Sequence, residues 1–170
     1  MSCRRSSGRH LRHAQANHVI ARAFRAADVP VETEPQCFLR DDGKRPDGVT
    51  RVPWASGKNL VWDFTCPDTV APSHIMQNSL ASGAAAVQAE SNKRIKYSGL
   101  NHGYLFTPFA VETLGSWGPE AMALSSSLGT RLAVVTGDRR STSFFRQRLS
   151  LAIQRGNAAA VRGTFASTDP

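Results

Sequence analysis

The sequence predicts an α/β fold in which a mixed β-sheet is flanked by helices, and three stretches carry that expectation. Between His10 and Asp28 the apolar residues Ala16, Val19, Ile20, Ala23, Phe24 and Ala27 recur at three- and four-residue spacing, the period of an amphipathic helix. From Lys44 to Cys66 the chain reads as a β-hairpin whose turn is Ala55-Ser56-Gly57-Lys58-Asn59. An alanine-rich segment from Ser82 to Tyr97 then supplies a second main helix.

The remaining elements fall around these. Arg12, Arg22 and Arg25 lie off the apolar stripe of the first helix, and Pro30 marks its end. Val29 to Pro35 alternates as a short strand carrying Glu32 and Glu34, and residues 40–44 form a turn-rich connection into the hairpin. In the second hairpin arm, alternation puts Leu60, Trp62, Phe64 and Cys66 on one face and Val61, Asp63 and Thr65 on the other. Pro67-Asp68 and Pro72-Ser73 break the chain before the second helix. Tyr104 to Thr113 is an apolar strand that Pro108 assigns to a sheet edge or a bulge. After a loop at 115–119, Glu120–Thr136 and Ser141–Arg155 read as helices separated by Gly137-Asp138, with Ser141 or Thr142 as cap. Phe144, Phe145, Leu149, Leu151, Ala152 and Ile153 are expected to pack inward, and Gly156 onward to fray. The order is helix, strand, strand, strand, helix, strand, then a helical extension. It divides into a short leading segment at 1–9, a core at 10–113 and the extension at 114–170.

A chain of 170 residues can bury one real core, and its 41% hydrophobic content is ordinary for a globular protein. No apolar run is long enough for a membrane span, so no membrane partner is expected, and the Arg- and Ser-rich start lacks the apolar segment of a secretory signal. The expected location is intracellular. Cys3, Cys37 and Cys66 are odd in number and widely spaced, which argues against a disulfide framework. The net charge of +8 points to a polyanion, and its distribution is informative. Residues 1–28 hold six Arg against one acid and residues 114–170 seven Arg against three, whereas residues 31–72 hold five basic and seven acidic side chains. Basic flanks around an acidic centre suit a protein that grips phosphates at its edges and keeps carboxylates for a metal in the middle. Charge alone fits solvated basic helix faces equally well.

The acidic centre holds the candidate site. Asp47 follows Pro46 at the mouth of the first hairpin arm, and Asp63 sits among apolar residues in the second. A buried carboxylate needs a cation, a donor or a proton. Two aspartates brought side by side form a ready cage for a hard divalent ion such as Mg²⁺ or Mn²⁺. An aspartate after proline also serves as a turn or cap residue, and Asp63 could be bridged to an arginine. At the end of the second helix Glu90, Lys93, Arg94 and Tyr97 share one side, with Lys96 a third of a turn away; basic residues there also complement the helix dipole.

That element order, together with Arg45-Pro46-Asp47, Val61-Trp62-Asp63 and the helix end Lys93-Arg94-Ile95-Lys96-Tyr97, resembles the restriction-endonuclease-like nucleases of the PD-(D/E)xK class. Within that class it is similar to the restriction-like endonuclease domain at the C-terminal end of site-specific non-LTR retrotransposon polyproteins. The resemblance implies an α-β-β-β-α-β core and a magnesium-dependent DNA endonuclease that nicks target DNA to prime reverse transcription. The alternative is a non-catalytic nucleic-acid-binding remnant of such a domain. Asp47 and Asp63 are then the metal ligands, with a backbone carbonyl near Phe64 and with Glu34 or Glu32 as a further donor. Thr65 stands where the wider class has its lysine; in the retrotransposon branch the lysine comes from the following helix, which points to Lys96, or failing that Lys93. Arg9, Arg12, His13, Arg45, Lys93 and Arg94 are the implied DNA contacts, Arg12-His13 matching an upstream basic-His pair. Ala14 follows that pair where the group usually has an acid, and 15 residues separate Asp47 from Asp63, slightly more than the group's spacing. The implied partners are DNA, element RNA and the parent reverse transcriptase, and the implied location is nuclear. Cys3 occupies a position like the last ligand of a zinc knuckle in those polyproteins. Zinc is not expected, because Cys3, His10 and His13 together fall short of the four ligands of a structural site.

Overall fold

The computed structural model describes residues 8–38, 43 and 45–164. Cys3, the segment 1–7 and most of the 40–44 connection lie outside the described residues. The chain runs α1 (Gly8–Ala26), β1 (Val31–Thr33), a 3₁₀ turn (Gln36–Phe38), β2 (Gly48–Thr50), β3 (Asn59–Thr65) and α2 (Ile75–Leu80). It continues through α3 (Ala84–Lys96), a second 3₁₀ segment (Ser98–His102), β4 (Tyr104–Ala110), α4 (Pro119–Thr136) and α5 (Ser141–Arg162). The expected α/β class and mixed sheet are present. One four-stranded sheet has the order β1-β2-β3-β4, antiparallel except for the parallel β3–β4 pair.

The alternation of β3 divides the core. Leu60, Trp62 and Phe64 face a large cluster shared with α1, α4 and α5, while Val61 faces a smaller one with Tyr97 and Phe106. Asp63 lies on the second face, beneath α3. Pro108 sits opposite Asp63 in β4, and β4 is an edge strand, where a residue without an N–H leaves no interior ladder broken. Gly48 is opposite Trp62, and a Cβ at Gly48 would stand 2.1 Å from the indole ring. The bare glycine lets Trp62 lie across β2 and stack on Phe24, with ring centroids 5.0 Å apart.

The hairpin tip is tighter than expected. Ser56 and Gly57 both have positive φ (50° and 71°), and the Lys58 N–H donates to the Ala55 carbonyl at 2.9 Å, a type I′ turn. Continued evenly, that turn would not align Gly48 with Trp62. The register is shifted by the irregular run Arg51–Pro53, where the Arg51 N–H leaves for the Pro30 carbonyl and the Thr50 hydroxyl accepts the Leu60 N–H.

The C-terminal region departs most from expectation. Instead of fraying at Gly156, α5 continues to Arg162, and Gly156, Asn157 and Ala160 are buried against α1. A Cβ on Gly156 would fall 2.4 Å from the Cβ of Arg12, and one on Gly8 would fall 2.5 Å from Ala160, so small residues set this close helix crossing. Arg12 is consequently not an outward-facing contact for DNA. It lies on the buried stripe Gly8, Arg12, Ala16, Ile20, is 2% exposed, and donates from Nη1 to Asn157 Oδ1 at 2.8 Å. Asn157 in turn donates to the Thr113 carbonyl at 2.7 Å. Phe144 and Leu151 are exposed rather than inward, while Phe145, Leu149, Ala152 and Ile153 form the buried stripe. The turn before α5 is held by Asp138, whose Oδ1 accepts the Arg140 N–H at 2.8 Å, and by the Ser141 hydroxyl, which donates back to the Asp138 carbonyl at 2.7 Å; the N-cap position falls to Arg140 rather than to Ser141 or Thr142.

Replacing Asn157 by Ala leaves the Arg12 guanidinium without its buried acceptor and should lower the unfolding free energy by about 1–3 kcal/mol in urea titrations. Truncation after Arg155 should lower it further. An unchanged midpoint for the truncated chain would show that the last turns of α5 contribute nothing to the core.

Candidate active site

The paired register of β2 and β3 ends at Gly48–Trp62, and Asp47, just before β2, still donates its N–H to the Trp62 carbonyl, which brings it alongside β3 next to Asp63. The two carboxyl groups come within hydrogen-bonding reach of each other. Asp47 is anchored on three sides. Its backbone N–H donates to the Trp62 carbonyl at 3.1 Å, its Oδ2 accepts the Phe64 N–H at 2.6 Å, and the same oxygen lies 3.4 Å from His13 Nε2.

His13 comes from α1 and reaches over the end of β3. Its Nε2 is 3.2 Å from the Phe64 carbonyl and its Nδ1 3.3 Å from Asn17 Nδ2, one helical turn on. The Trp62 indole N–H donates to Asn17 Oδ1 at 3.4 Å, which orients the amide so that its NH₂ faces His13. The neutral ring therefore accepts at Nδ1 and donates from Nε2 toward Asp47 and the Phe64 carbonyl. The hydrogen bond to Asp47 and its charge, with Asp63 behind it, raise the His13 pKa above its usual value despite burial.

On the α3 side, Lys93 Nζ donates to Asp63 Oδ2 at 2.8 Å; the Asp63 side chain is 5% exposed and that of Lys93 23%. Burial, followed by the charge of Asp47, pushes Asp63 up to about 6, and Lys93 only partly opposes this. Burial also acts to raise Asp47, but the hydrogen bond and charge of His13 outweigh it, and Asp47 is held below the usual carboxylate range. One pair of like residues is thus split into a committed anion and a carboxyl that can carry a proton near pH 6.

The structure brings together Asp47, Asp63, Lys93 and His13 from the residues expected by sequence, and leaves others apart. Lys96 is engaged with Tyr97, its Nζ 2.9 Å from the Tyr97 hydroxyl and 4.5 Å from that ring's centroid. The lysine at Asp63 is Lys93, three residues earlier on α3. Glu34 is exposed and paired with Arg45, and Glu32 is 3.1 Å from Arg51, so neither reaches the aspartate pair. Arg94 grips Glu120 through two nitrogens, and Arg12 is buried. Arg9 is exposed on the first turn of α1. Asn17 was not singled out from sequence, although its i, i+4 relation to His13 places both on one helix face.

Among the described residues no group of three or more His, Cys, Asp and Glu side chains is arranged to hold a metal ion, which leaves no zinc-type cage. The donor set does suit magnesium, which takes one or two carboxylates and completes its shell with water and phosphate oxygens. Asp47 and Asp63 are oxygen donors, and the carbonyl of Phe64, the residue whose N–H Asp47 accepts, is a third beside them. No helix among the described residues is long and apolar enough to cross a membrane. No protein-family model matches the chain, and a search of curated proteins finds no match.

The raised Asp63 pKa has a stability consequence with a definite sign. Between 3.8 and about 6 the unfolded chain has released this proton and the folded chain has not, so stability contributed here is full below 3.8 and lost as pH rises through 6. Asp63→Asn should therefore stabilise the fold at pH 8 by about 1–3 kcal/mol and be near neutral at pH 3.5. Chemical denaturation at the two pH values tests this; a variant less stable than wild type at pH 8 would mean that the Lys93 bridge outweighs burial and repulsion.

Proposed function

We propose that this chain is a magnesium-dependent endonuclease domain that hydrolyses a DNA phosphodiester bond, of the restriction-like kind found in non-LTR retrotransposon polyproteins. The observation that carries the reading is the neighbouring pair Asp47 and Asp63 with the Lys93 ammonium on the second carboxylate. The Arg-Pro-Asp and Val-Trp-Asp motifs and the α-β-β-β-α-β order supply the resemblance.

Asp47, Asp63 and the Phe64 carbonyl would hold the magnesium ion, which supplies positive charge at the scissile phosphate and a water of lowered pKa. Asp63 must release its proton to bind a cation, so ligation is favoured above pH 6. His13 keeps Asp47 ionised and, with the Phe64 N–H, fixes its orientation. Lys93, partly exposed, is placed to neutralise charge that builds on the phosphate oxygens. Arg9, exposed at the start of α1, and Arg45, half-buried beside Pro46, are placed for the DNA backbone, where contacts add affinity more than sequence choice. Target priming, element RNA and the parent reverse transcriptase belong to this proposal as its biological setting.

A second reading is a nucleic-acid-binding remnant without chemistry. It is favoured by the lack of a third acid at the pair among the described residues and by the close Lys93–Asp63 contact. Nicking of supercoiled plasmid in magnesium separates the two. Asp47→Ala and Asp63→Ala should each slow nicking by at least about 100-fold, and Lys93→Met should slow it strongly, whereas Lys96→Met should stay within a few-fold of wild type. Wild type no faster than Asp63→Ala, with DNA binding that weakens steeply as salt rises, would establish the remnant.

The rate should rise with pH through about 6 as Asp63 ionises, and the rise should move to higher pH in Lys93→Met, which removes the charge opposing protonation. A flat profile between pH 5 and pH 8 would contradict the assignment of that ionisation to Asp63.

A further inference from the structure

A groove of about 600 Å³ lies between the second half of α1, the end of α4 and the first half of α5, formed by none of the aspartate-site residues. Its position follows from the helix crossing. Gly8, Gly156 and Ala160 allow close approach at one end of the α1–α5 pair, and the groove opens toward the other end, where larger side chains line both helices.

The lining combines two properties. Val19, Ala23, Leu132 and Phe145 make an apolar floor, and Phe144 and Leu151, 40% and 55% exposed, extend it to the lip. Arg22 on one wall and Arg148 and Arg155 on the other surround that floor with positive charge. None of these three forms an ion pair among the described residues. The acid in the groove, Asp138, is already gripped by Arg140 through Nε and Nη2, both at 3.2 Å.

The pattern on α5 is regular. Phe144, Arg148, Leu151 and Arg155 stand at i, i+4, i+7 and i+11, so they share one face in the order apolar, cation, apolar, cation. Arg148 and Arg155 are seven residues apart, which on a helix is about 10.5 Å. A second helix laid alongside α5 meets that spacing with carboxylates seven residues apart and meets the floor with the apolar side chains between them.

We propose that this groove docks an acidic amphipathic helix of a partner protein, apolar face inward and carboxylates against Arg148, Arg155 and Arg22. A nucleic-acid strand fits the surface less well. The floor is largely aliphatic and offers no stacking platform, and the Phe144 ring already carries the Arg140 guanidinium 5.0 Å from its centroid. The proposal is independent of the nuclease reading and holds whether or not the aspartate pair cuts DNA.

Fluorescence anisotropy on the full chain tests it with a labelled synthetic helix of about 16 residues, a length that spans the groove-lining part of α5. The probe has leucines along one face flanked by glutamates seven residues apart. Two sister peptides replace the glutamates with lysines or the leucines with serines. The glutamate peptide should bind at least about tenfold more tightly than either sister. Arg148→Glu combined with Arg155→Glu, both on the exposed face of α5, should reverse the preference toward the lysine peptide without changing the thermal melt. Leu151→Ser should weaken binding of the glutamate peptide by a smaller factor. Equal affinity for all three peptides, or a preference untouched by the charge reversal, would overturn the proposal. So would a short oligothymidylate that binds wild type but not the reversal variant while the glutamate peptide does not bind.

Discussion

Two carboxyl groups brought within hydrogen-bonding reach of each other beside β3, with little water to screen them, impose a constraint that the surrounding side chains must satisfy. Both cannot hold full charge without help, and the structure divides the help unequally. Asp47 receives the Phe64 N–H and the His13 ring, and stays ionised; Asp63 receives the Lys93 ammonium, which opposes burial and the charge of Asp47 only in part, and is pushed up to about 6. The asymmetry originates in where each residue stands. Asp47 stands just before β2, where backbone N–H groups and α1 converge, whereas Asp63 is inside β3 beneath α3. A carboxyl pushed up to about 6 contributes less to folding at neutral pH than in acid, a pattern that recurs at ligand sites and in structural ion-pair networks alike.

The second support is remote in sequence. α1 delivers His13 and Asn17 to the aspartates, and α1 is itself positioned by α5 through Gly8, Gly156, Ala160 and the Arg12–Asn157 hydrogen bond. Within this bond network Arg12 Nε finds no partner among the described residues, while the Cys66 thiol beside the guanidinium is pushed up to about 11 by burial. α4 is tied in from the α3 side. The buried Glu90 carboxylate accepts the Glu120 and Ala121 N–H groups at 3.1 and 2.9 Å, so the helix that carries Lys93 also caps α4. A Cβ at Gly118 would stand 2.2 Å from that carboxylate, which explains a glycine just before the helix.

Much of this was legible in the sequence, for identifiable reasons. Apolar periodicity revealed α1, alanine-rich composition revealed α3, and alternation along β3 correctly separated Leu60, Trp62 and Phe64 from Val61 and Asp63. Pro108 limited its strand to a sheet edge or a bulge, since a missing N–H breaks an interior ladder, and the edge position is the one observed. The pairing of Asp47 with Asp63 was expected from a hairpin, but its register was not readable, since the three-residue irregularity at Arg51–Pro53 depends on a contact with Pro30. The choice of Lys93 over Lys96 rests on how α3 is rotated over the sheet, which no count along the helix supplies. Arg12 looked solvent-facing because arginine usually is. Its burial needs α5 to run past Gly156, and the small residues that read as a fraying end are the ones that permit close packing.

The proposed ion site depends on the unequal ionisation of the aspartate pair and on its response to a hard cation. Carbon-13 carboxyl titration by NMR, with Asp63 assigned through its loss in Asp63→Asn, reads both directly. Asp63 is expected to titrate near 6 and Asp47 below the usual carboxylate range, and addition of magnesium is expected to move the Asp63 midpoint downward as cation competes with proton. Two carboxyls that both titrate near 4 and ignore magnesium would contradict the coupling and the ion site together.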